Sequence, residues 1–335
     1  MCQLLKPPKL HIEDTIATIS PCNGWAGDSD IYWRYLLGVE RLKEIGLNVV
    51  SAPNSLKGSE YLLKNPEARA DDFMWAFENK TVNAIIANIG GNDSIKIIQY
   101  INKSSIKNNH KIFIGYSDVM NLHILCYKCS LSTFYGDNLL NSISEPQGWH
   151  SYSKHWFMKT LFCSDEIGEI YPSKEWTYEE HNYTKPSSHR HYYPNYGYEL
   201  LQGNGIVKGS LFGGHTGLME SKLELSSKDF ENKILFLEDI PEFYSAKVLT
   251  DFFIWLKSIK ALQKIKGIIL GKSNDNHDFF NQKEVIIKII DNEDLPVLYG
   301  LNFGHSSPTC ILPYGAMAEI HCTNKTFSIL DSGVR

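Results

Sequence analysis

The sequence predicts an α/β fold with an N-terminal domain built on a parallel sheet and a C-terminal mixed α/β domain of more β character. Three observations lead to this prediction. The chain has 335 residues, which is more than one hydrophobic core usually serves. Strands alternate with helical patterns until the composition changes after about residue 140. Because the early strands are apolar throughout, helices are expected to cover both faces of their sheet.

The first domain is predicted over residues 1–165. Its helical pattern at 31–46 ends at Gly46, a natural C-cap, and the pattern at 66–80 has Pro66 near its start. In chain order, the predicted strands are 15–21, 47–53, 82–93 and 111–115, and the predicted helices are 31–46, 66–80, 94–102 and a segment that begins at Asp118.

Residues 171–198 form an aromatic-rich stretch, with eight aromatic residues, three histidines and three prolines in 28 positions. A long segment without a clear period is usually functional or flexible. We predict that residues 166–200 link the domains and form a loop over the site. The alternative is a surface excursion that packs its aromatic side chains locally.

The second domain is predicted over residues 201–335. Its pattern is mixed, with strands outnumbering helices. The predicted elements are a glycine-rich β-like stretch at 203–219, strands at 233–240, 264–273 and 295–305, a helix at 243–259 and a hairpin at 316–330.

Composition and charge argue against several classes of protein. Lys and Arg total 33 against 38 Asp and Glu, a net charge of −5, which disfavours nucleic acid or an anionic membrane surface as partner. No stretch approaches the ~20 apolar residues of a membrane helix, and no secretory signal is visible. Seven cysteines, an odd number spread thinly, do not suggest a disulfide framework. We therefore expect a cytoplasmic protein with reduced thiols.

Cys126 and Cys129 form a lone C-x-x-C inside the helix predicted after Ser117. A redox pair or half of a zinc site is one interpretation, but no second pair follows at a suitable spacing. We predict instead two small buried core residues, and we expect neither a metal nor a cofactor.

Ser117 stands on an abrupt strand-to-helix turn, in the sequence Gly115-Tyr116-Ser117-Asp118. A nucleophile on such a turn holds its hydroxyl clear of the sheet, with the next amide and the helix N-terminus near a forming oxyanion. The usual elbow, G-x-S-x-G, has a second glycine after the serine, which this chain lacks, since Asp118 and Val119 follow Ser117. Aspartate is also a good N-cap, so Ser117 is open to two interpretations, a nucleophile or an ordinary turn residue.

The turn Gly90-Gly91-Asn92-Asp93 closes the preceding predicted strand. Paired glycines at the carboxyl end of a parallel strand bring backbone amides close to a ligand. The turn is therefore either an oxyanion donor and anion cradle or a plain tight turn.

Glu238 and His305 each follow an apolar strand as well, at the edge where the active sites of α/β sheets collect. A surface charge and an incidental histidine are the alternatives. With Ser117 they give the order Ser…Glu…His, a workable triad order. In such a triad His305 would take the Ser117 proton and later protonate the leaving amine, while Glu238 would orient the imidazole.

Several motifs occur in the order found in the family of LD-carboxypeptidases and microcin C self-immunity peptidases, which the chain resembles over about residues 12–330. They are IGGND, GYSD with its Leu-His-containing helix, GSLFGGHTGLM, ILFLED, GH…LPYGAMAEI and the segment EARADDFMWAFENKTVNAII. The resemblance implies a Rossmann- or flavodoxin-like N-terminal domain, similar to class I amidotransferases, and a homodimer. It implies these roles: Ser117 as nucleophile, Glu238 and His305 as its partners, and the amides of Gly91 and Asp118 as oxyanion hole.

The segment YPSKEWTYEEHNY resembles the microcin-immunity branch, in which a tryptophan stacks on a nucleobase. Trp176 matches that tryptophan, and Tyr183 stands where a second one is common. His215 occupies a position where the cell-wall branch often has asparagine. The substrate-binding residues implied in this way are Gly90, Asn92, Trp176, Tyr183 and His215.

Three functions remain open from the sequence. The first is a metal-independent serine hydrolase that cleaves a peptidyl- or aminoacyl-nucleotide between the acyl group and the nucleotide-like part. The second is the same chemistry on a muramoyl tetrapeptide, in cell-wall recycling. The third is a ligand-binding homologue without catalysis, against which the complete Ser117, Glu238 and His305 set argues.

Overall fold

The computed structural model describes residues 4–219, 225–240, 246–272 and 278–335, and the chain forms two compact units. The first unit comprises Met1–Ser164, Glu180–His191 and Gly333–Arg335, and the second comprises Asp165–Glu179 and Tyr192–Ser332. The segment 166–200, predicted as one link, is therefore divided. Its middle part belongs to the first unit because buried ion pairs hold it there, as described below.

The first unit contains five parallel strands: β1 (Thr15–Ile19), β2 (Asn48–Ser51), β3 (Ala84–Ala87), β4 (Ile112–Gly115) and β5 (Phe134–Tyr135). Their spatial order is β2-β1-β3-β4-β5, which is the flavodoxin-like order. Every residue of β3 and β4 is buried, as a sheet covered on both faces requires. The fold class predicted for this part of the chain is confirmed.

The helices of the first unit are α1 (Tyr32–Glu44), α2 (Ser59–Lys64), α3 (Pro66–Glu78), α4 (Lys103–Lys107), α5 (Met120–Lys128) and α6 (Ser151–Phe162). Two predicted helices differ in kind from the observed ones. The segment at 94–102 is a 3-10 helix, Ser94–Tyr100, and the helix predicted from Asp118 begins with a 3-10 turn, Ser117–Val119, before α5. The first turn of the Ser94–Tyr100 helix is held by hydrogen bonds from the amides of Asp93 and Ser94 to the Asp118 carboxylate.

A hydrophobic core in the first unit joins α3 and α5 to β1, β3 and β4. Phe73, Phe77 and Phe113 pack against one another within it, with ring centroids 5.0 to 6.4 Å apart. Cys126 and Cys129 belong to the same core, which confirms the prediction of buried core residues. Burial raises the pKa of both thiols, so neither is poised as a thiolate.

The second unit contains an eight-stranded mixed sheet in the order β6-β16-β15-β10-β11-β12-β13-β9. Strands β10 to β13 are parallel, and β15, β16, β6 and β9 are antiparallel to their neighbours. The bounds are β6 (Gly168–Glu169), β9 (Glu199–Gln202), β10 (Ile206–His215), β11 (Lys233–Glu238), β12 (Gly267–Gly271), β13 (Val297–Leu301), β15 (Met317–His321) and β16 (Thr326–Ile329). The prediction of a mixed domain with more β character is confirmed.

Shorter elements complete the second unit: β7 (Glu175–Trp176), β8 (Tyr193–Pro194), β14 (Leu312–Pro313), α7 (Thr216–Met219), α8 (Ala246–Ser258) and α9 (Asp278–Ile290). The predicted terminal hairpin is present as β15 and β16, with Lys325 in a left-handed conformation at its turn. Parts of the predicted helix at 243–259 and strand at 264–273 lie outside the described residues. Among the helices that the structure describes, none has the length and apolar character needed to cross a bilayer.

The aromatic-rich stretch is more ordered than its sequence indicates. Strands β7 and β8 pair antiparallel, with Trp176 opposite Tyr193. Tyr178 stacks on Tyr193 at 5.4 Å between centroids, with an 8° angle between the ring planes. Part of the stretch therefore packs its aromatic side chains locally, as the alternative interpretation expected.

Candidate functional site

Ser117 lies directly past β4 with a φ of 63°, in the left-handed region that non-glycine residues rarely adopt. Strain of this kind persists only where the surrounding structure enforces it, and it gathers at functional positions. The Ser117 amide donates to the Tyr135 hydroxyl at 3.2 Å. A Cβ on Gly115 would lie 2.7 Å from Val119 Cγ1, so glycine is required two residues before the serine. This geometry is that of a nucleophile elbow.

The Gly90 backbone lies against Ser117. A Cβ on Gly90 would come within 3.0 Å of Ser117 Cβ and 3.3 Å of Ser117 Oγ. Gly91 is enclosed on another side, where a Cβ would lie 3.0 Å from Cys22 Cβ. Asn92, next along the turn, is exposed. The glycine turn and the elbow therefore meet at Gly90, where a side chain would separate them, whereas a side chain at Gly91 would collide with Cys22.

Asp118 ties the elbow to this turn. Its carboxylate accepts the backbone amides of Asp93 at 2.9 Å and Ser94 at 2.8 Å. It also accepts Ser94 Oγ at 2.8 Å and Asn121 Nδ2 at 3.0 Å. Asp118 thus caps the neighbouring 3-10 helix rather than its own.

A buried ion pair between Arg69 and Asp93 also holds the turn Gly90-Gly91-Asn92-Asp93. Arg69 Nη1 lies 2.7 Å from Asp93 Oδ1, and Nη2 lies 3.2 Å from Oδ2, a bidentate arrangement. Arg69 also donates to the carbonyl of Cys22 at 2.8 Å. Arg69 was not among the residues predicted from the sequence, although an arginine on the apolar face of a predicted helix indicates a buried partner.

In the second unit, the structure brings Glu238 and His305 together. Glu238 is the last residue of β11, and its Oε2 lies 2.6 Å from His305 Nδ1. The same oxygen accepts the His305 backbone amide at 3.1 Å. Gly304 has a φ of 83°, and a Cβ there would lie 2.4 Å from Oε2. The carboxylate holds the proton on Nδ1, which leaves Nε2 as the basic nitrogen.

His215 ends β10, in register with Glu238 on β11. Its Nε2 lies 3.1 Å from Asp239 Oδ1, and Thr216 donates to the other oxygen of Asp239 at 2.7 Å. The His215 and His305 rings meet edge to face with centroids 5.4 Å apart. His215 is therefore a neighbour of the Glu238–His305 pair, and Asp239 orients it.

Trp176 lies on β7, and the following residue, Thr177, exchanges two backbone hydrogen bonds with Ser307 at 2.7 and 2.9 Å. The Lys272 ammonium lies 5.0 Å from the centre of the Trp176 ring, a cation–π contact. Trp176 is 4% exposed, so its ring offers little surface to a ligand in this structure. Lys272 was not predicted from the sequence, although it directly follows the buried strand β12, much as Glu238 ends β11.

Tyr183 belongs to the first unit, whereas Trp176 belongs to the second. The Tyr183 hydroxyl accepts from Asn141 Nδ2 at 2.8 Å, and the Arg34 guanidinium lies 5.1 Å from its ring centre. Burial raises the pKa of Tyr183 to about 12, so it is a neutral phenol. Trp25 meets it edge to face at 5.0 Å. These rings border a surface cavity of about 390 Å³, lined by Trp25, Ile31 and residues 180–184.

The candidate residues thus fall into two sets. The first unit carries Ser117, Gly90, Gly91, Asn92, Asp118 and Tyr183, and the second carries Trp176, His215, Glu238 and His305. Within the described ranges, no group of three or more histidine, cysteine, aspartate or glutamate side chains could hold a metal ion.

Comparison with known proteins places this geometry in a family. The family model of the LD-carboxypeptidase N-terminal domain matches residues 16–136, and that of the C-terminal domain matches residues 208–320. The chain is 30% identical to the microcin C7 self-immunity protein MccF of Escherichia coli, over 89% of this chain and 88% of that protein. It is 28% identical to the probable murein peptide carboxypeptidase of Bacillus subtilis, over 98% and 95%.

Solved structures of MccF and MccF-like proteins resemble this chain over nearly its whole length. The MccF-like protein from Streptococcus pneumoniae, in complex with AMP, matches with a TM-score of 0.87 at 30% identity, over 95% of this chain and 99% of that one. MccF in complex with glutamyl sulfamoyl guanosine matches with a TM-score of 0.84 at 26% identity, over 99% and 100%. The chain therefore belongs to the LD-carboxypeptidase family, with MccF and MccF-like proteins among its relatives.

Proposed function

We propose that this protein is a serine hydrolase of the carboxypeptidase type. Its substrate would be an aminoacyl or peptidyl group joined through an amide-like bond to a nucleotide-like moiety. The observation that carries the proposal is the backbone of Ser117, held at a φ of 63° against the glycine turn. Plain turn residues such as Lys325 also adopt a left-handed φ. At Ser117 this φ is combined with the close approach of Gly90, and the two together are what a nucleophile elbow requires.

In the proposed reaction the Ser117 oxygen attacks the acyl carbonyl, and His305 Nε2 accepts the hydroxyl proton. Glu238 stabilises the imidazolium that forms. The amides of Gly91 and Asp118 would donate to the oxyanion, a contribution of about 3 kcal/mol for one such donor in related chemistry. The imidazolium then protonates the leaving nitrogen, and water hydrolyses the acyl-enzyme with His305 as the base.

Two relatives support a nucleotide-like leaving group. One was solved with AMP and one with glutamyl sulfamoyl guanosine, an acyl group joined to a nucleoside. Trp176 and Tyr183 are the proposed stacking residues, at roughly 1–3 kcal/mol per stacked base, and His215 is a proposed substrate contact. Since Trp176 is buried, stacking on its ring requires a local rearrangement. We further propose that the protein acts as a homodimer in the cytoplasm.

The alternative function is release of the terminal D-alanine from a muramoyl tetrapeptide. The family's description as LD-carboxypeptidase and the Bacillus subtilis relative named for murein peptides support it. The chemistry at Ser117 would be the same, and the difference would lie in what occupies the leaving-group side of the site. A ligand-binding homologue without catalysis is the remaining possibility.

The test is a side-by-side assay of an aminoacyl adenosine phosphoramidate and a muramoyl tetrapeptide, with the products read by mass spectrometry. We expect release of the nucleotide and little D-alanine. Ser117→Ala should lower the turnover number by ~10⁴-fold or more and leave AMP binding intact. The control Ser187→Ala changes an exposed serine and should keep the turnover number of the wild type. Turnover by Ser117→Ala would refute the mechanism, and preferential D-alanine release would favour the alternative.

A further inference from the structure

Glu145 holds both ends of the loop 180–191, which carries Tyr183. Its Oε2 lies 2.9 Å from His181 Nδ1, near the start of the loop, and 2.6 Å from Arg190 Nη2, near its end. The side chains of all three residues are at most 7% exposed. We call Glu145, His181 and Arg190 the Glu145 clamp. A single carboxylate thus closes the base of the loop.

Arg34 connects the clamp to Tyr183. From α1, its guanidinium donates to the carbonyls of Leu140 at 2.5 Å and Asn141 at 3.2 Å, which fixes the group in place. It lies 3.9 Å from Glu145 Oε2 and covers the Tyr183 ring at 5.1 Å. The Tyr183 ring is therefore held by Arg34 on its face and by Asn141 at its hydroxyl.

The charged groups of this cluster are the Glu145 carboxylate and the guanidinium groups of Arg190 and Arg34. Burial disfavours the ionised Glu145, but His181, Arg190 and Arg34 outweigh burial and lower the pKa of that carboxyl to about 2. Burial and the two arginines lower the pKa of His181 to about 3, so its imidazole is neutral. His181 Nδ1 lies 2.9 Å from Arg34 Nη2 as well as from Glu145 Oε2, and because a guanidinium only donates, the neutral imidazole accepts from Arg34 at this nitrogen.

We propose that Glu145 is a positioning residue that orders the loop 180–191 before the ligand arrives and so presents Tyr183 to an aromatic, nucleobase-type ring. The ligand class in this inference rests on the proposed function. The closing of the loop by Glu145 does not. A preordered loop matters because a loop that must order on binding lowers the apparent affinity of its ligand.

The first measurement is hydrogen–deuterium exchange of the backbone amides of 182–189 in the full chain. Glu145→Gln keeps the side-chain shape but removes the negative charge that faces the guanidinium groups of Arg190 and Arg34. We expect these amides to exchange at least ~10-fold faster in the variant. The control Glu60→Gln breaks an exposed pair with Lys64 in the same unit and should leave them unchanged. Equal protection in Glu145→Gln and wild type would overturn the clamp.

The second measurement is the affinity for AMP, by calorimetry, of wild type, Glu145→Gln, Tyr183→Ala and the double variant. If Glu145 acts through Tyr183, each single change should weaken AMP binding by ~10-fold and the double variant should be no weaker than either. Additive losses would mean that Glu145 has a general structural role, and that would overturn the positioning claim.

The two measurements separate the clamp from the proposed function. A wild-type protein that does not bind AMP would refute the nucleotide-like ligand and with it the positioning of Tyr183 for a nucleobase. Faster exchange in Glu145→Gln would in that case still support the closed loop. The serine-probe labelling rate of Ser117 should be the same in Glu145→Gln as in wild type, since the change leaves the elbow untouched.

Discussion

The two halves of the candidate site are built by different means. Around Ser117 the chain uses its backbone: a left-handed φ, two glycines in close approach, and amides held by Asp118. Around Glu238 and His305 it uses side chains, since one carboxylate oxygen contacts both the imidazole and the backbone amide of His305. A backbone arrangement should fail when a Cβ intrudes, and a side-chain arrangement should fail when a charge is lost.

The largest effect in this comparison is expected from Glu238→Gln. The amide keeps the shape of the side chain but lacks the charge that stabilises an imidazolium, and it can hold the wrong tautomer of His305. In serine proteases the equivalent change lowers kcat roughly 10⁴-fold, and we expect a loss of ~10³–10⁴-fold here, measured as kcat on the aminoacyl adenosine phosphoramidate.

The matched control for this variant is Glu319→Gln, which removes a surface ion pair in the same unit, where Glu319 Oε2 lies 3.2 Å from Lys208 Nζ. It should leave kcat unchanged, because such pairs contribute little. If Glu238→Gln retained kcat within tenfold, the side-chain half of the mechanism would be wrong.

Gly90→Ala tests the backbone half. Its new Cβ would meet Ser117 Cβ at 3.0 Å and Oγ at 3.3 Å, so the serine or the turn must shift by a few tenths of an ångström. Because a misplacement of about 1 Å in a reacting group can lower the rate by ~10²-fold, we expect this smaller shift to lower kcat by roughly tenfold. Steady-state kinetics and the thermal midpoint should be measured together.

Gly148→Ala is the control for that change. Gly148 has a φ of 121° with no atom within 4 Å of the added Cβ, so alanine there should lower the thermal midpoint and spare kcat. The backbone interpretation fails if Gly90→Ala loses stability while keeping its turnover number.

The smallest expected effect is on stability, because a side-chain ion pair loses its contribution when its carboxylate is protonated, whereas a backbone arrangement does not titrate. Side-chain ion pairs titrate, and the pKa of Glu145 is lowered to about 2. Its stabilisation is therefore complete above its ordinary pKa near 4.5 and is lost as pH falls toward 2. Urea unfolding should give wild type an advantage over Glu145→Gln on the order of 2 kcal/mol at pH 7, shrinking as the pH falls from 4.5 to 2. Parallel stability curves for the two proteins would contradict this expectation.

Much of the site could be predicted because strand ends are visible in a sequence. Apolar runs followed by a polar residue predicted Glu238 and His305 at the carboxyl edge of one sheet, and the structure brings those two together at 2.6 Å. The same pattern would have found Lys272 after β12. The alternating pattern of the first 130 residues likewise determined the parallel sheet, because strands buried on both faces must be apolar throughout.

Other features depend on contacts between residues far apart in the chain. Aspartate is a common N-cap residue, so the sequence suggests that Asp118 caps the helix that follows it. Its carboxylate instead accepts the amide of Ser94 in the neighbouring 3-10 helix, a contact that local sequence cannot predict. Glu145 meets His181 and Arg190 across more than thirty residues, so the aromatic-rich stretch was predicted as one link. The division of that stretch is decided by buried charges, which are stable only when paired.

The sequence by itself determined the fold class and the family and predicted the candidate residues of the site, because these follow from periodicity, turn chemistry and motif order. The tertiary structure alone decided the strain at Ser117, the tautomer that Glu238 selects for His305, and the unit to which Tyr183 belongs. The physical reason is that backbone strain, proton position and ion pairing depend on neighbours in space. Those neighbours are brought together by folding and not by their spacing along the chain.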